Sequence, residues 1–246
     1  MRITPECSLV ILTGAGISAE SGIPTFRGSD GLWEGWRLEE VATPEAFARD
    51  PALVQRFYDL RRRALLSPDI QPNAAHHALV RLDANWPGEL LLVTQNIDDL
   101  HERAGNRRLV HMHGELLKAR CLACEGLTEW CRDLTGHAGC PACGAREGLR
   151  PHVVWFGEMP LEMDRIEHAL ERCRLFVAIG TSGVVYPAAG FVQIARAKGA
   201  HTIEINLEPS AVRSAFAELR QGAASRLVPA LVDQLLSARS TSADSG

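Results

Sequence analysis

Two rhythms alternate along the chain. Short runs that are apolar on both faces recur at Leu9 to Leu12, Glu89 to Thr94 and Leu175 to Gly180, and a mixed run spans His201 to Asn206. Such runs suit central strands of a parallel sheet. Arg108 to His113 reads as a further strand, ending at Gly114. Between the runs, apolar residues recur at helical spacing: Leu53, Val54, Phe57, Leu60, Ala64 and Leu65 mark a helix from Pro51 to Leu66. Thr43 reads as the cap of a helix with Pro44 in its first turn. Asn73 caps another that runs to about Trp86 and stops at Pro87-Gly88. Further helices are predicted at Leu161–Cys173, Pro187–Lys198 and Ser225–Ala238. Strands alternating with helices imply an α/β fold, a doubly wound parallel sheet covered on both faces.

Polar residues and glycines follow the strand ends: Gly14, Gln95, Gly114, Gly180-Thr181-Ser182 and Asn206. In an open α/β sheet these ends face the ligand crevice. The first turn, Gly14-Ala15-Gly16, follows a strand and opens toward Ile17-Ser18-Ala19-Glu20 as a helix start, the way a chain offers backbone N–H groups to a pyrophosphate. Turn geometry alone also explains such glycines. Pro24-Thr25-Phe26-Arg27 then adds a rigid turn, an aromatic that covers a ring or fills the core, and a cation that pairs with phosphate or stays solvated. Gly31 to Trp36 reads as a loop with aromatic anchors, Trp33 among them. Two segments break the alternation, the helices between Thr43 and Pro68 and a cysteine-rich stretch; they read as insertions forming a smaller lobe, with the ligand between lobes.

Composition narrows the function classes. The 246 residues are 46% hydrophobic and 23% charged, ordinary for a globular protein. A formal net charge of −4 argues against a nucleic-acid groove. No apolar run is long enough to span a membrane, and the amino terminus lacks the pattern of a signal peptide, so a cytoplasmic location with reduced thiols is expected. Of seven cysteines, Cys121-Leu-Ala-Cys124 and Cys140-Pro-Ala-Cys143 form two pairs fifteen residues apart. This spacing makes a tetrahedral zinc ribbon, structural because four thiolates leave no position for water. Cys7, Cys131 and Cys173 read as small core or surface residues.

Gln95-Asn96-Ile97-Asp98 places two amides and a carboxylate at a strand end, fit either to hold a carboxamide and ribose or, for Asp98, to cap a helix. His111 and His113, two apart on the predicted strand, share a face. His113, before Gly114, is the better base, since a neutral imidazole there takes a hydroxyl proton near neutral pH. His76 and His77 read as structural.

Taken in order, Gly14-Ala-Gly-Ile-Ser18, Pro24-Thr-Phe-Arg27, Gln95-Asn-Ile-Asp98, His111-Met-His113-Gly114, the four cysteines, Gly180-Thr-Ser182 and Asn206-Leu-Glu208 resemble the signature of the sirtuins, over about residues 8 to 236. The resemblance implies an NAD-consuming protein lysine deacylase with a Rossmann-like large lobe (1–37, 73–118, 152–236), a small lobe (38–72 helical, 119–151 zinc ribbon) and a disordered tail (237–246). It implies that Gly14, Ala15 and Gly16 cradle phosphates with Arg27 close by, and that Ser18, Glu20, Pro24, Phe26 and Trp33 also face the cofactor. Gln95, Asn96, Ile97 and Asp98 hold nicotinamide and its ribose, and Gly180, Thr181, Ser182, Asn206, Leu207, Glu208 and Ala224 the adenosine end. In the implied reaction the acyl oxygen attacks the ribose carbon bearing nicotinamide. His113 then takes a proton from a ribose hydroxyl, with Asn96 and Asp98 as further catalytic groups. Free lysine, nicotinamide and O-acyl-ADP-ribose result. The acyl-lysine peptide is expected as an added strand against Val153–Glu158, at Val154, Phe156, Gly157 and Glu158, and against Gly183–Pro187, at Val185. Thr25 stands where many sirtuins carry aspartate.

Tyr58 and Arg61, three apart on a helix, share a face. Sirtuins that remove succinyl and malonyl groups carry a Tyr-x-x-Arg pair here, with a small residue where Ala42 stands, so the resemblance implies acidic acyl groups beside acetyl, Arg61 pairing with the distal carboxylate. The plain alternative is a partly buried tyrosine and a solvated arginine. Other readings are a mono-ADP-ribosyltransferase, a nucleotide sensor and a dehydrogenase. The oligomeric state is not legible; a monomer is favoured.

Overall fold

The computed structural model describes residues 7–25, 32–33, 35–136 and 139–237. The all-apolar runs form buried parallel strands. β1 (Leu9–Thr13) lies between β4 (Leu90–Thr94) and β9 (Leu175–Ile179), and every residue of these three strands is buried. β5 (Leu109–His111) pairs outside β4, while β10 (His201–Asn206) and β11 (Glu218–Gln221) extend the other side, giving the order β11-β10-β9-β1-β4-β5. The chain builds one half of the sheet outward from β1 and returns for the other, so the order reverses between β1 and β9. Register keeps the strand ends level: Thr13 pairs with Thr94 and Ile179, Thr94 with His111, and Ile179 with Ile205.

Helices cover both faces. α4 (Ala74–Asn85) and α8 (Ala224–Ser237) pack Leu79, Leu82, Val228 and Val232 onto Leu9, Ile11, Leu92, Val177 and Ile203. α6 (Met163–Arg172) and α7 (Phe191–Ala197) pack Ile166, Leu170, Phe191 and Val192 onto Val10, Leu12, Val93 and Phe176. The predicted caps hold: Thr43 Oγ1 accepts from Ala46 N at 3.0 Å, and Asn73 Oδ1 accepts from Ala75 N at 2.9 Å.

The two insertions pack against each other, in cores distinct from those of the parallel sheet. α1 (Leu38–Val41), α2 (Pro44–Arg49) and α3 (Pro51–Leu65) enclose a core of Val41, Phe47, Val54, Phe57 and Tyr58 with Leu116, Val153 and Trp155. A short hairpin, β2 (Leu32–Trp33) with β3 (Trp36–Arg37), precedes them. The cysteines sit on an antiparallel sheet in which β6 (Gly114–Cys121) lies between β7 (Leu127–Glu129) and β8 (Leu149–Val153), over Trp130, Leu134 and Leu149.

Three sequence expectations change, the first being the loop read over 31–36, where β2 and β3 pair as a hairpin. The glycine turn leads into two 3-10 turns, Ala15–Ile17 and Ala19–Ser21, where a helix start was expected; Gly22, at φ +89°, ends the second. The strand expected over 108–113 stops at His111, because its partner β4 runs out at Thr94; Gly114, at φ +80°, then turns the chain into β6. A Cβ on Gly114 would stand 2.1 Å from His152 O. His111 and His113 therefore do not lie on one strand face. The edge strand β11 was not foreseen. Among the described residues no helix is long and apolar enough to cross a membrane.

Candidate active site at the carboxyl edge of the sheet

The turns after β1 and β9 interlock. Gly16 N donates to Gly180 O at 2.9 Å and Gly14 N to Ile179 O at 3.0 Å. A Cβ on Gly16 would stand 2.6 Å from Gly180 Cα, and one on Gly14 would stand 2.7 Å from Gly180 O. The glycines are thus required first by the contact between the two turns, which brings backbone from both to the switch point.

From the next strand end comes a buried polar chain. Asn96 Nδ2 donates to Gly14 O at 3.3 Å and to Ser18 Oγ at 3.2 Å, and Ser18 Oγ donates to Asp98 Oδ2 at 3.1 Å. Asp98 Oδ1 accepts from Leu100 N at 3.1 Å, at the start of α5 (Leu100–Ala104). Of the two sequence readings of Asp98, this contact is the one at a helix start. Burial pushes its carboxyl up to about 6, against the pull of Leu100 N and Ser18.

His113 lies just past β5. Its Nδ1 stands 3.0 Å from Gln95 O, an acceptor, so the ring proton sits on Nδ1 and Nε2 carries the lone pair. Burial lowers its pKa below the ordinary histidine value, more than the Gln95 carbonyl raises it. The ring is a neutral base held at the strand end. Beneath it, His101 is fully buried, with Nε2 3.0 Å from Thr13 Oγ1, and its ring meets His76 edge to face at 5.0 Å. His76 Nδ1 accepts from Asn73 N at 3.2 Å, and burial brings its pKa down to about 4. It is structural; His77 is exposed.

On the far side of the switch point, Asn206 Nδ2 donates to Thr181 O at 2.7 Å. Ser182, Leu207 and Glu208 are exposed there, and Ala224 is buried at the start of α8. Glu20 reaches the same helix end, accepting from Ser225 N at 3.0 Å and Ser225 Oγ at 2.6 Å. Ala15 is half-buried, Pro24 exposed, and Ile97 packs toward the α3 core. Phe26, Arg27, the side chain of Trp33 and the tail beyond Ser237 lie outside the described residues.

The segment after β8 joins the parts. Val154 N donates to His113 O at 2.9 Å and Phe156 N to Ala42 O at 3.0 Å. Phe156 and Gly157 are exposed, and Val185 is half-buried across the edge. Glu158 takes Arg150 in a two-point ion pair, 2.6 and 2.9 Å, and accepts Trp155 N at 2.8 Å. The Arg150 guanidinium lies 3.3 Å from the centre of the Trp155 ring. Trp155 Nε1 donates to Tyr58 Oη at 3.0 Å. Tyr58 is fully buried, which raises its pKa and keeps it a neutral phenol. Arg61 shares its side of α3: its guanidinium lies 3.3 Å from the centre of the Phe57 ring and donates to Phe57 O at 2.9 Å.

Sequence reasoning passed over Trp155 and Arg150, although Trp155 stood within the quoted Val153–Glu158 stretch. It also passed over Asp59, next to Tyr58, whose carboxylate accepts from Arg62, Leu134 N, Thr135 N and Thr135 Oγ1.

The thiols pass a geometric test for zinc. Their sulfurs all lie within 4.8 Å of one another, with Cys121–Cys143 at 3.8 Å and Cys124–Cys140 at 3.9 Å. A tetrahedron with Zn–S bonds of about 2.3 Å has edges of about 3.8 Å. The backbone N–H groups of Cys124 and Ala123 lower the Cys121 thiol toward the thiolate a metal needs, while the neighbouring thiols raise that of Cys124. A cavity of about 290 Å³ lined by Arg196, His201, Ser214 and Phe216 lies at the amino edge of β10, away from all of these groups.

A doubly wound sheet with a backbone cradle at its switch point, a neutral half-buried imidazole beside it and a four-thiolate ribbon define a nucleotide-using α/β enzyme braced by a metal. A model of the Sir2 family matches residues 14–187, and the chain belongs to that family. It is 61% identical to an NAD-dependent protein deacylase of Vibrio vulnificus strain YJ016, over 94% of this chain and 95% of the relative. With an NAD-dependent protein deacylase of Vibrio cholerae it shares 59% identity over 98% of each chain. Among solved structures, a Sir2 homolog–NAD complex superposes with a TM-score of 0.84 at 41% identity, over 95% of this chain and 91% of that one. Sir2Af2 bound to a myristoylated histone peptide gives 0.73 at 32%, over 95% and 92%. These names favour deacylation over ADP-ribosyl transfer to protein.

Proposed function

We infer that this protein is an NAD-dependent protein lysine deacylase that uses NAD and one structural zinc, releasing nicotinamide and O-acyl-ADP-ribose. The observation that carries the reading is His113: its Nδ1 is committed to Gln95 O and burial keeps the ring neutral, so Nε2 is a ready proton acceptor at the carboxyl edge. Bound NAD supplies an electrophilic ribose carbon and the nicotinamide leaving group. Gly14, Ala15 and Gly16 with the Gly180 turn offer backbone to the phosphates; Gln95, Asn96, Ile97 and Asp98 meet the nicotinamide end. Thr181, Ser182, Asn206, Leu207, Glu208 and Ala224 flank the adenosine end. Ser18 acts by orienting Asn96 and Asp98. Glu20 holds α8, and Pro24, Phe26, Arg27 and Trp33 complete the cofactor's surroundings. His113 Nε2 takes the proton of a ribose hydroxyl. The four thiolates take no part in the chemistry; they fix β6 and β8 and with them the Val154–Glu158 segment.

The chain divides into the large and small lobes drawn above, and the acyl-lysine peptide lies as a strand between Val154–Glu158 and the 183–187 stretch, with Val154, Phe156, Gly157, Glu158 and Val185 in contact. Tyr58, Arg61 and the small Ala42 line the acyl pocket and admit succinyl and malonyl groups besides acetyl. Trp155 supports this: an indole N–H only donates, so Tyr58 Oη accepts there and does not spend its own proton on that bond. The protein works as a monomer in the cytoplasm, without membrane as partner, and the net charge of −4 argues against nucleic acid as one. Incubation with NAD and acetyl-, malonyl- and succinyl-lysine peptides, with products identified by mass, tests the activity. His113→Ala should lose deacylation while remaining folded. Arg61→Met should lose succinyl turnover and keep acetyl turnover; equal loss on both would refute the pocket.

A further inference from the structure

A partly buried histidine beside the site is left unused by the chemistry above. His111, at the end of β5, has an acceptor on each ring nitrogen: Nδ1 lies 3.2 Å from Asn96 O, and Nε2 faces the Glu102 carboxylate of α5. Glu115 of β6 closes the group, the three ligand atoms lying within 4.8 Å of one another. Only a ring protonated on both nitrogens can donate both ways. The cations this cluster needs are already in it: the imidazolium on Glu102, and the Lys118 ammonium, 2.8 Å from Glu115 and 3.9 Å from Glu129. His111 and His113 each turn Nδ1 to a neighbouring carbonyl, Gln95 O for His113, and the Glu102 carboxylate at Nε2 is what sets His111 apart.

The carbonyl that His111 grips belongs to Asn96, whose side chain starts the relay through Ser18 Oγ to Asp98. We propose that Glu102 and His111 form a positioning pair for the nicotinamide end of the NAD site, fixing the 95–98 turn and keeping the buried Asp98 carboxylate charged as NAD binds. The proposal rests on the reading of Asp98 as an NAD-site residue. The surrounding charges agree with it. Burial works against a charged His111, but Glu102, then Glu115 and the Asn96 carbonyl, outweigh it and hold the ring above the ordinary histidine value. Burial raises Asp98; Leu100 N, Ser18 and His111 oppose this, while Asp99 adds to it. His101, on the same helix as Glu102, stays neutral through burial, with His76 and His111 pressing the same way.

The test is the pH profile of nicotinamide exchange into NAD in the presence of an acyl-peptide, because in the proposed order nicotinamide leaves before His113 acts. Glu102→Gln removes the anion that keeps His111 charged. The acid limb should then move up by roughly 0.5–1 pH, a loss of about threefold to tenfold near pH 6 with little change near pH 8 and an unchanged KM for the peptide. His111→Gln, which keeps an amide donor for Asn96 O, should move the limb equally, and Glu102→Asp should restore it. A drop of equal size at every pH, or no change, would overturn the pair's role, with thermal unfolding confirming that the variants are folded. Asp98→Asn should abolish exchange at every pH. Full exchange in that variant would instead remove the Asp98 assignment, and the proposal with it.

Discussion

Asp59 on α3 is where that helix is fastened to the cysteine ribbon, and its removal has a calculable cost. The carboxylate is 3% exposed and takes four donors: Arg62 Nη1 at 2.6 Å, Leu134 N at 2.8 Å, Thr135 N at 3.0 Å and Thr135 Oγ1 at 2.7 Å. Arg62, 1% exposed, also donates to Leu116 O at 3.1 Å. Breaking a buried ion pair by deleting one partner costs about 3–5 kcal/mol, because the other charge stays buried. A buried N–H left without an acceptor adds about 1–3 kcal/mol. Asp59→Asn keeps the shape and one acceptor oxygen but points an amide at Arg62, so a loss of about 4–6 kcal/mol is expected. For a chain of this size each kcal/mol moves Tm by about 2–4 °C, so the melting point should fall by roughly 10–20 °C. Arg62→Met also strands a buried charge but leaves the carboxylate three donors, and should cost about 3 kcal/mol, the low end of the ion-pair range. Urea unfolding at saturating zinc measures both. If Asp59→Asn stays within about 1 kcal/mol of wild type, or Arg62→Met proves the more damaging, the clamp is misread. Surviving Asp59→Asn protein should lose succinyl turnover before acetyl turnover, since Tyr58 and Arg61 flank the lost anchor.

Other outcomes follow from the same geometry. Asp98→Asn should stabilise the free enzyme at pH 7.5 while removing activity. Burial holds the folded carboxyl at about 6 against an ordinary aspartate value of 3.8, so folding is penalised above pH 6, the penalty fades as pH falls toward 4, and its size is about 2–3 kcal/mol. A Tm that falls at pH 7.5 would contradict this. Gly16→Ala should raise the KM for NAD and cost about 1–3 kcal/mol, because the new Cβ meets Gly180; an unchanged KM would show that the two turns give way freely. Chelating the metal should raise hydrogen exchange at Cys121–Leu149 first, with the buried strands β1 and β9 protected longer; simultaneous loss would show that the ribbon is not a separate cooperative unit. Trp155→Phe keeps the ring over Arg150 but removes the donor to Tyr58, and should raise the KM for succinyl-peptide more than that for acetyl-peptide.

What could be read from the sequence was what local rhythm encodes. Apolar runs gave the buried strands; Thr43, Asn73 and Pro44 gave helix starts; cysteine spacing gave the ribbon; and ordered short motifs gave the strand-end edge that carries His113. The edge strand β11 escaped because Glu218–Gln221 alternates half-buried and exposed positions rich in charge, a pattern without an apolar run. The longest misreading, one strand from 108 to 113, failed because strand length is set by the partner: β4 ends at Thr94, and nothing in 108–113 records that. The same reason hides the connections that tune the site. Asp59 meets Thr135 across 76 positions and Trp155 meets Tyr58 across 97, pairings that exist only once register and helix docking are set. His111 and His113 show the consequence most directly. In sequence they are alike, two apart and either side of a methionine. In the fold each gives Nδ1 to a neighbouring carbonyl, and what separates them is the carboxylate of Glu102, delivered by a helix of five residues. One histidine is thereby held above the ordinary histidine value and the other below it, so the division of labour at this edge belongs to topology and burial.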